Sequence, residues 1–105
     1  MKQIEKEMNA AIYAGRDWKK SNTVVSCNGM SWNYRTNKFE PVRAVVYLHG
    51  NLICKIHDDG RREYSTTGWN TPTTRSRLQA LGAGCRIFHG RMIDDAGRPF
   101  YDGRL

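Results

Sequence analysis

The run TPTTRSRLQALG, residues 71–82, holds the densest set of groups able to do chemistry. Thr71 suits a helix N-cap, Pro72 the first helical position and Gly82 a C-terminal cap, so a short helix is predicted over 71–81, with Leu78 and Leu81 buried. Its first two turns carry Thr73, Thr74, Arg75, Ser76 and Arg77. Unbonded backbone N–H groups and the positive end of the helix dipole favour an anion at such a place. Cations there destabilise a helix by roughly a few tenths of a kcal/mol each unless an anion answers them. Thr73, Thr74, Arg75 and Arg77 are therefore predicted to hold a ligand phosphate through hydroxyls and guanidinium forks. The alternative is that the arginines pair with Asp or Glu of the same chain while the threonines only cap.

Other reactive groupings are weaker. His57 with Asp58 and Asp59, or His89 with Asp94 and Asp95, sets a base beside metal-ligand types, as a small nuclease would require. Asp-Asp-Gly is ordinary turn chemistry, however, and a lone histidine beside Gly90 fits a structural role. Cys27, Cys54 and Cys85 lie about thirty residues apart. They contain no CxxC pair, and with His49, His57 and His89 they lack the short-spaced ligand pairs of a zinc site. Their odd number leaves at least one thiol free. No phosphate-loop, dinucleotide, zinc-protease or nucleophile-elbow motif is present. Catalytic residues, metals and cofactors are accordingly not assigned, and binding is favoured over catalysis.

Charge indicates what would be bound. Seventeen Lys and Arg against ten Asp and Glu give a formal charge of +7, which raises the local concentration of acidic partners. After Lys38 the only lysine is Lys55, so the second half presents arginine forks suited to phosphate or carboxylate. Arg61, Arg62, Arg86 and Arg91 would extend the field of the helix start, with Trp69 or Trp32 available to stack on a base. This reading makes nucleic acid or a nucleotide the partner. A competing reading makes the protein an inhibitor of a bacterial host or defence protein, anchored by Trp32, Tyr34 and Phe39, because Trp, Tyr and Arg dominate interface energetics. Salt separates the two, since binding to a polyanion weakens linearly in log salt.

These groups need positioning elements. One domain over 1–105 is expected. Ile4, Met8, Ala11 and Ile12 recur at helical spacing, with Lys2, Glu5, Lys6 and Asn9 assigned to the outer face and Gly15 closing the helix. TVVSC is predicted as a short strand, and NGMSWNYRTNKFEP as a long loop or ragged hairpin. VRAVVYLHGNLICKIH is two strands around a turn at His49, Gly50 and Asn51, with Gly-Asn supplying positive φ. Alternation places Leu52, Cys54 and Ile56 on one face and Ile53, Lys55 and His57 on the other. A further turn leads into RREYSTTGW, where Trp69 is expected to be buried beside the helix start. The C-terminal part is a hairpin with its turn at Asp95, Ala96 and Gly97 and a bulge at His89 and Gly90. The fold class is therefore α+β: an N-terminal helix on a small antiparallel sheet, meander plus C-terminal hairpin, with one short inserted helix.

The runs YLHGNLICKI and STTGWNTPTTRSRLQAL resemble a family of small uncharacterised proteins of tailed phages and prophages, over residues 45–90. Gly68, Trp69, Thr71, Thr73, Thr74, Arg75, Arg77 and Leu78 carry most of the likeness, Phe88 and His89 match a closing strand, and the N-terminal 40 residues lie outside it. The resemblance implies a phage accessory protein engaged in host takeover or counter-defence. No stretch reaches the roughly 20 apolar residues of a membrane helix, and MKQIEKEMNAAIYAG is charged where a signal peptide is apolar, so the bacterial cytoplasm is the expected compartment.

Overall fold

A computed structural model describes all residues, 1–105. Helix α1, Gln3–Ala14, ends at Gly15, whose left-handed φ of 67° lets the chain turn back while Arg16 N–H bonds the Ala11 carbonyl at 2.9 Å. Strands β1 (Trp18–Lys20), β2 (Thr23–Asn33), β3 (Lys38–Leu48), β4 (Asn51–Ile56) and β5 (Arg62–Tyr64) follow as an antiparallel meander in sequence order. Helix α2, Pro72–Ala80, then leads to a two-stranded ribbon, β6 (Cys85–Phe88) with β7 (Arg91–Asp94). The α+β arrangement expected from periodicity and turn signals is the one observed.

One buried cluster joins the layers. Met8 and Ile12 of α1 meet Val25, Ala44, Val46, Cys54 and Ile56 of the sheet, Leu78 of α2, and Cys85 and Met92 of the ribbon. Burial pushes the Cys54 thiol up to about 12, with Arg62 acting weakly the other way.

Of the two alternatives for residues 28–41 the hairpin is the one formed, as the outer half of β2–β3, where Met30 faces Pro41 and Trp32 faces Phe39; three other local expectations are corrected. The Asn-rich composition serves its turn, where Asn33 Oδ1 accepts the N–H groups of Arg35 and Thr36 at 2.9 and 3.2 Å. The β3–β4 turn is His49–Gly50, with φ of 51° and 79°, and Asn51 already opens β4. Ile53 is the extra residue of a bulge: Cys54 pairs with Val46 but Leu52 with Tyr47, so Ile53 joins Cys54 in the core and Leu52 changes face. His89–Gly90, with φ of 49° and 75°, is the ribbon's own turn rather than a bulge, and a second turn at Asp94–Gly97 returns the chain to Phe100.

Lys55, on the sheet face away from the helices, is 1% exposed. Its Nζ donates to the Trp32 carbonyl at 3.0 Å and lies 3.7 Å from Glu40 Oε1.

Candidate functional site

The start of α2 was the first candidate, and its geometry disperses the residues assigned to it. Successive helical side chains point about 100° apart, so five consecutive residues cannot converge on one ligand. Thr71 Oγ1 accepts the Thr74 N–H at 3.1 Å and contacts its hydroxyl at 2.9 Å, which leaves Thr74 buried and occupied. Arg77 is 4% exposed. Its Nη1 lies 2.8 Å from Glu5 Oε2, its Nε donates to Thr23 Oγ1 at 3.0 Å, and its Nη2 reaches Asn22 Oδ1 at 3.4 Å. Ser76 donates to the same Glu5 oxygen at 2.6 Å. The anion that answers Arg77 is thus internal, and Glu5, assigned to the outer face of α1, is 2% exposed. Burial raises the Glu5 carboxyl, but hydrogen bonds from Ser76, the Lys2 N–H and Arg77, with the arginine's charge, outweigh it and hold the group below its ordinary range.

Arg75 leaves the helix on the flank that meets β6. The Cys85 thiol lies 4.0 Å from the Arg75 carbonyl, and Cys85 is pushed up by burial, partly opposed by the Arg75 charge. Beyond it, the register of the ribbon decides what is presented. Arg86 pairs with Ile93 and Phe88 with Arg91, so Arg86, Phe88 and Arg91 share one face. Phe88 is 57% exposed, its ring edge-on to His89 at 4.2 Å. The five ion pairs of the molecule leave Arg75, Arg86 and Arg91 without a carboxylate. Sequence reasoning counted Phe88 only as an apolar strand member; the alternation Arg-x-Phe ending at a His-Gly turn was the available signal.

Other assigned residues go elsewhere. Arg62 donates from Nη1 to the Leu81 carbonyl at 2.8 Å, beside the Tyr64 hydroxyl at 3.0 Å, so it serves the C-terminal end of α2. Arg61 lies in the turn before β5, its N–H bonded to Asp59 Oδ1 at 2.9 Å. Trp32 packs edge-on against Phe39 at 4.9 Å on the outer β2–β3 arm, where Tyr34 lies 5.4 Å under the Arg104 guanidinium.

Trp69 is not buried: it is 60% exposed. Thr67 and Gly68, with φ of 52° and 87°, turn the chain in the left-handed region, and the Trp69 N–H closes on the Thr66 carbonyl at 2.9 Å, which directs the indole outward. Beneath it, between the β3–β4 turn and the start of α2, opens a cavity of about 380 Å³ that includes Thr73.

The nuclease groupings separate. His57 is buried with Nε2 3.3 Å from Glu63 Oε2, while Asp58 and Asp59 lie in an exposed turn. Burial raises the Glu63 carboxyl, but hydrogen bonds from His57 and Arg35 and their charges bring it below its ordinary range. His89 sits at the ribbon turn, whereas Asp94 at the far end of β7 accepts the Ala96 and Arg98 N–H groups at 2.9 Å each. No three His, Cys, Asp or Glu side chains come together as a metal would need.

Comparison with known families adds a continuous match over residues 1–103. The chain belongs to the Kyanoviridae Gp96 protein family. This is a phage protein family, in keeping with the resemblance found over residues 45–90, and its match also takes in the N-terminal 40 residues that the resemblance left outside. The buried Glu5–Arg77 pair spans that boundary, so this Gp96 family member's N-terminal helix and its α2 are one packed unit. No curated protein and no solved structure matches the chain.

Proposed function

We propose that this phage protein acts by binding and that its polyanionic partner is single-stranded nucleic acid held on the β6–β7 ribbon. The observation that carries this reading is the exposed Phe88 ring between two unpaired guanidinium groups, Arg86 and Arg91, on one ribbon face. A ring face stacks on any unpaired base, and flanking arginines take the neighbouring phosphates in any sequence. In the infected cell such binding would serve host takeover or counter-defence.

Anisotropy of a labelled oligothymidylate, titrated at several salt concentrations, tests the proposal. Two phosphate contacts give a slope of log affinity against log salt near −1.4, at roughly 0.7 per contact for a single strand. A flat salt response, or no binding at low salt, would overturn it.

A second reading has its own support: Met30, Pro41, Trp32 and Phe39 share one face of the outer arm, Phe39 being 66% exposed. An apolar aromatic patch of this kind fits a host or defence protein. Binding to such a partner would be insensitive to salt and lost on Phe39→Ala.

A further inference from the structure

We infer that the cavity beneath Trp69 is a nucleobase-binding site, which rests on the nucleic-acid reading above and adds to it a place where one base is held by its polar edge. The cavity, about 380 Å³, lies within the range of small-ligand sites. Its apolar part is Leu48 and Ile53; its polar part includes the His49 ring, the Asn51 amide and the hydroxyls of Thr71 and Thr73. No carboxylate, lysine or arginine lines it, so its chemistry matches a neutral planar group with donors and acceptors on its rim rather than a phosphate.

Two further observations point to the same occupant. The indole of Trp69, which lines the cavity, is 60% exposed instead of filling it, which is the placement of a stacking face. That placement is set by the backbone before it: Thr67, which lines the cavity, holds φ of 52°, a region disfavoured most of all for a β-branched residue. At the adjoining start of α2 one donor is left open. Pro72 has no N–H, Thr74 N–H is capped by Thr71, and Arg75 N–H bonds the Thr71 carbonyl at 3.0 Å, while Thr73 N–H has no partner in the chain. A base carbonyl stacked under Trp69 would supply its acceptor.

The test compares octathymidylate with an octamer of the same sugar-phosphate chain lacking every base, by anisotropy at one salt concentration. Wild type should bind the base-bearing strand roughly ten-fold or more tightly, the scale of aromatic stacking. Trp69→Ala should remove most of that preference while leaving affinity for the abasic strand unchanged, and Thr73→Val, with unchanged melting temperature, should alter the ranking of thymidine, adenosine and cytidine octamers. A wild-type protein indifferent to the bases overturns the pocket together with the Phe88 stacking of the ribbon reading. A Trp69→Ala protein that keeps the preference, or one that weakens equally toward both strands, overturns the pocket and leaves the ribbon reading intact. A Thr73→Val protein with an unaltered ranking overturns the polar-edge contact. Absence of binding to either strand overturns both the pocket and the reading it rests on.

Discussion

Arg75 and Arg77 lie two residues apart on one nine-residue helix and end in opposite surroundings. Arg77 lies in the seam between α1 and α2, where Glu5, Thr23 and Asn22 accept from its guanidinium. Arg75 lies where α2 meets β6, with no carboxylate partner. About half a helical turn separates a structural cation from a free one, so formal charge along a chain says little about the charge it offers to a ligand. The outward face of the two-stranded ribbon likewise leaves Arg86 and Arg91 without a carboxylate.

The largest expected effect breaks this contrast on its structural side. Arg77→Ala leaves the Glu5 carboxylate buried and unpaired, and the fold should lose about 3–5 kcal/mol in chemical denaturation. Replacing both partners by leucine should recover much of the loss, because no charge is then left without a partner. Arg75→Ala should change stability by less than about 0.5 kcal/mol, as a surface substitution. Equal losses from the two alanine variants would abolish the distinction.

Acid titration sharpens the same side. The Glu5 carboxyl is held below its ordinary value of 4.5 in the fold, so its contribution is complete above that value and is lost as pH falls through the lower, folded one. Glu63, lowered with the help of His57 and Arg35, acts in the same direction. Melting temperature followed from pH 7 downward should therefore decline below roughly pH 4.5. Glu5→Gln should start lower and decline less; a wild-type profile in that variant would deny Glu5 its charged role.

The ribbon side should respond in the reverse manner. Arg86→Ala and Arg91→Ala together should leave the melting temperature near wild type and reduce the salt slope of oligonucleotide binding by about 1.4, at roughly 0.7 per lost phosphate contact. A loss of stability in this pair, with binding following it, would make the ribbon arginines structural like Arg77.

Why the two sides were not equally legible follows from sequence distance. The β3–β4 hairpin and the cap of α2 were readable because alternation, a His-Gly-Asn turn and Thr-Pro are signals within a few residues. The Glu5–Arg77 pair joins residues 72 apart, and nothing local to Glu5 distinguishes it from the solvent-facing Lys6 beside it. Trp69 was misplaced because Gly68 announces a turn, whereas the left-handed Thr67 that completes it belongs to a residue type that rarely adopts that conformation. The bulge at Ile53 had no composition signal and exchanged the faces of Leu52 and Ile53. For Glu5 a tertiary contact decided against the local preference, while for Trp69 and Ile53 the backbone of a turn and of a bulge did.

The smallest effect concerns Arg62, which divides the contrast more finely because it is exposed and yet engaged. Its Nη1 meets the Leu81 carbonyl at 2.8 Å, at the end of α2 where the helix dipole is negative and carbonyls lack helical partners. Tyr64 donates to the same oxygen, so truncating Arg62 leaves that carbonyl satisfied and removes only the charged share of the interaction. Arg62→Ala should therefore cost about 0.5–1 kcal/mol of stability, the scale of a cation at a helix C-terminus, with the loss shrinking in high salt. Oligonucleotide affinity should be unchanged, since the Arg62 guanidinium is engaged by the Leu81 carbonyl and belongs neither to the ribbon nor to the lining of the cavity under Trp69. A reduced salt slope in Arg62→Ala would place the residue among the ligand-facing arginines and extend the binding surface along α2 to its other end.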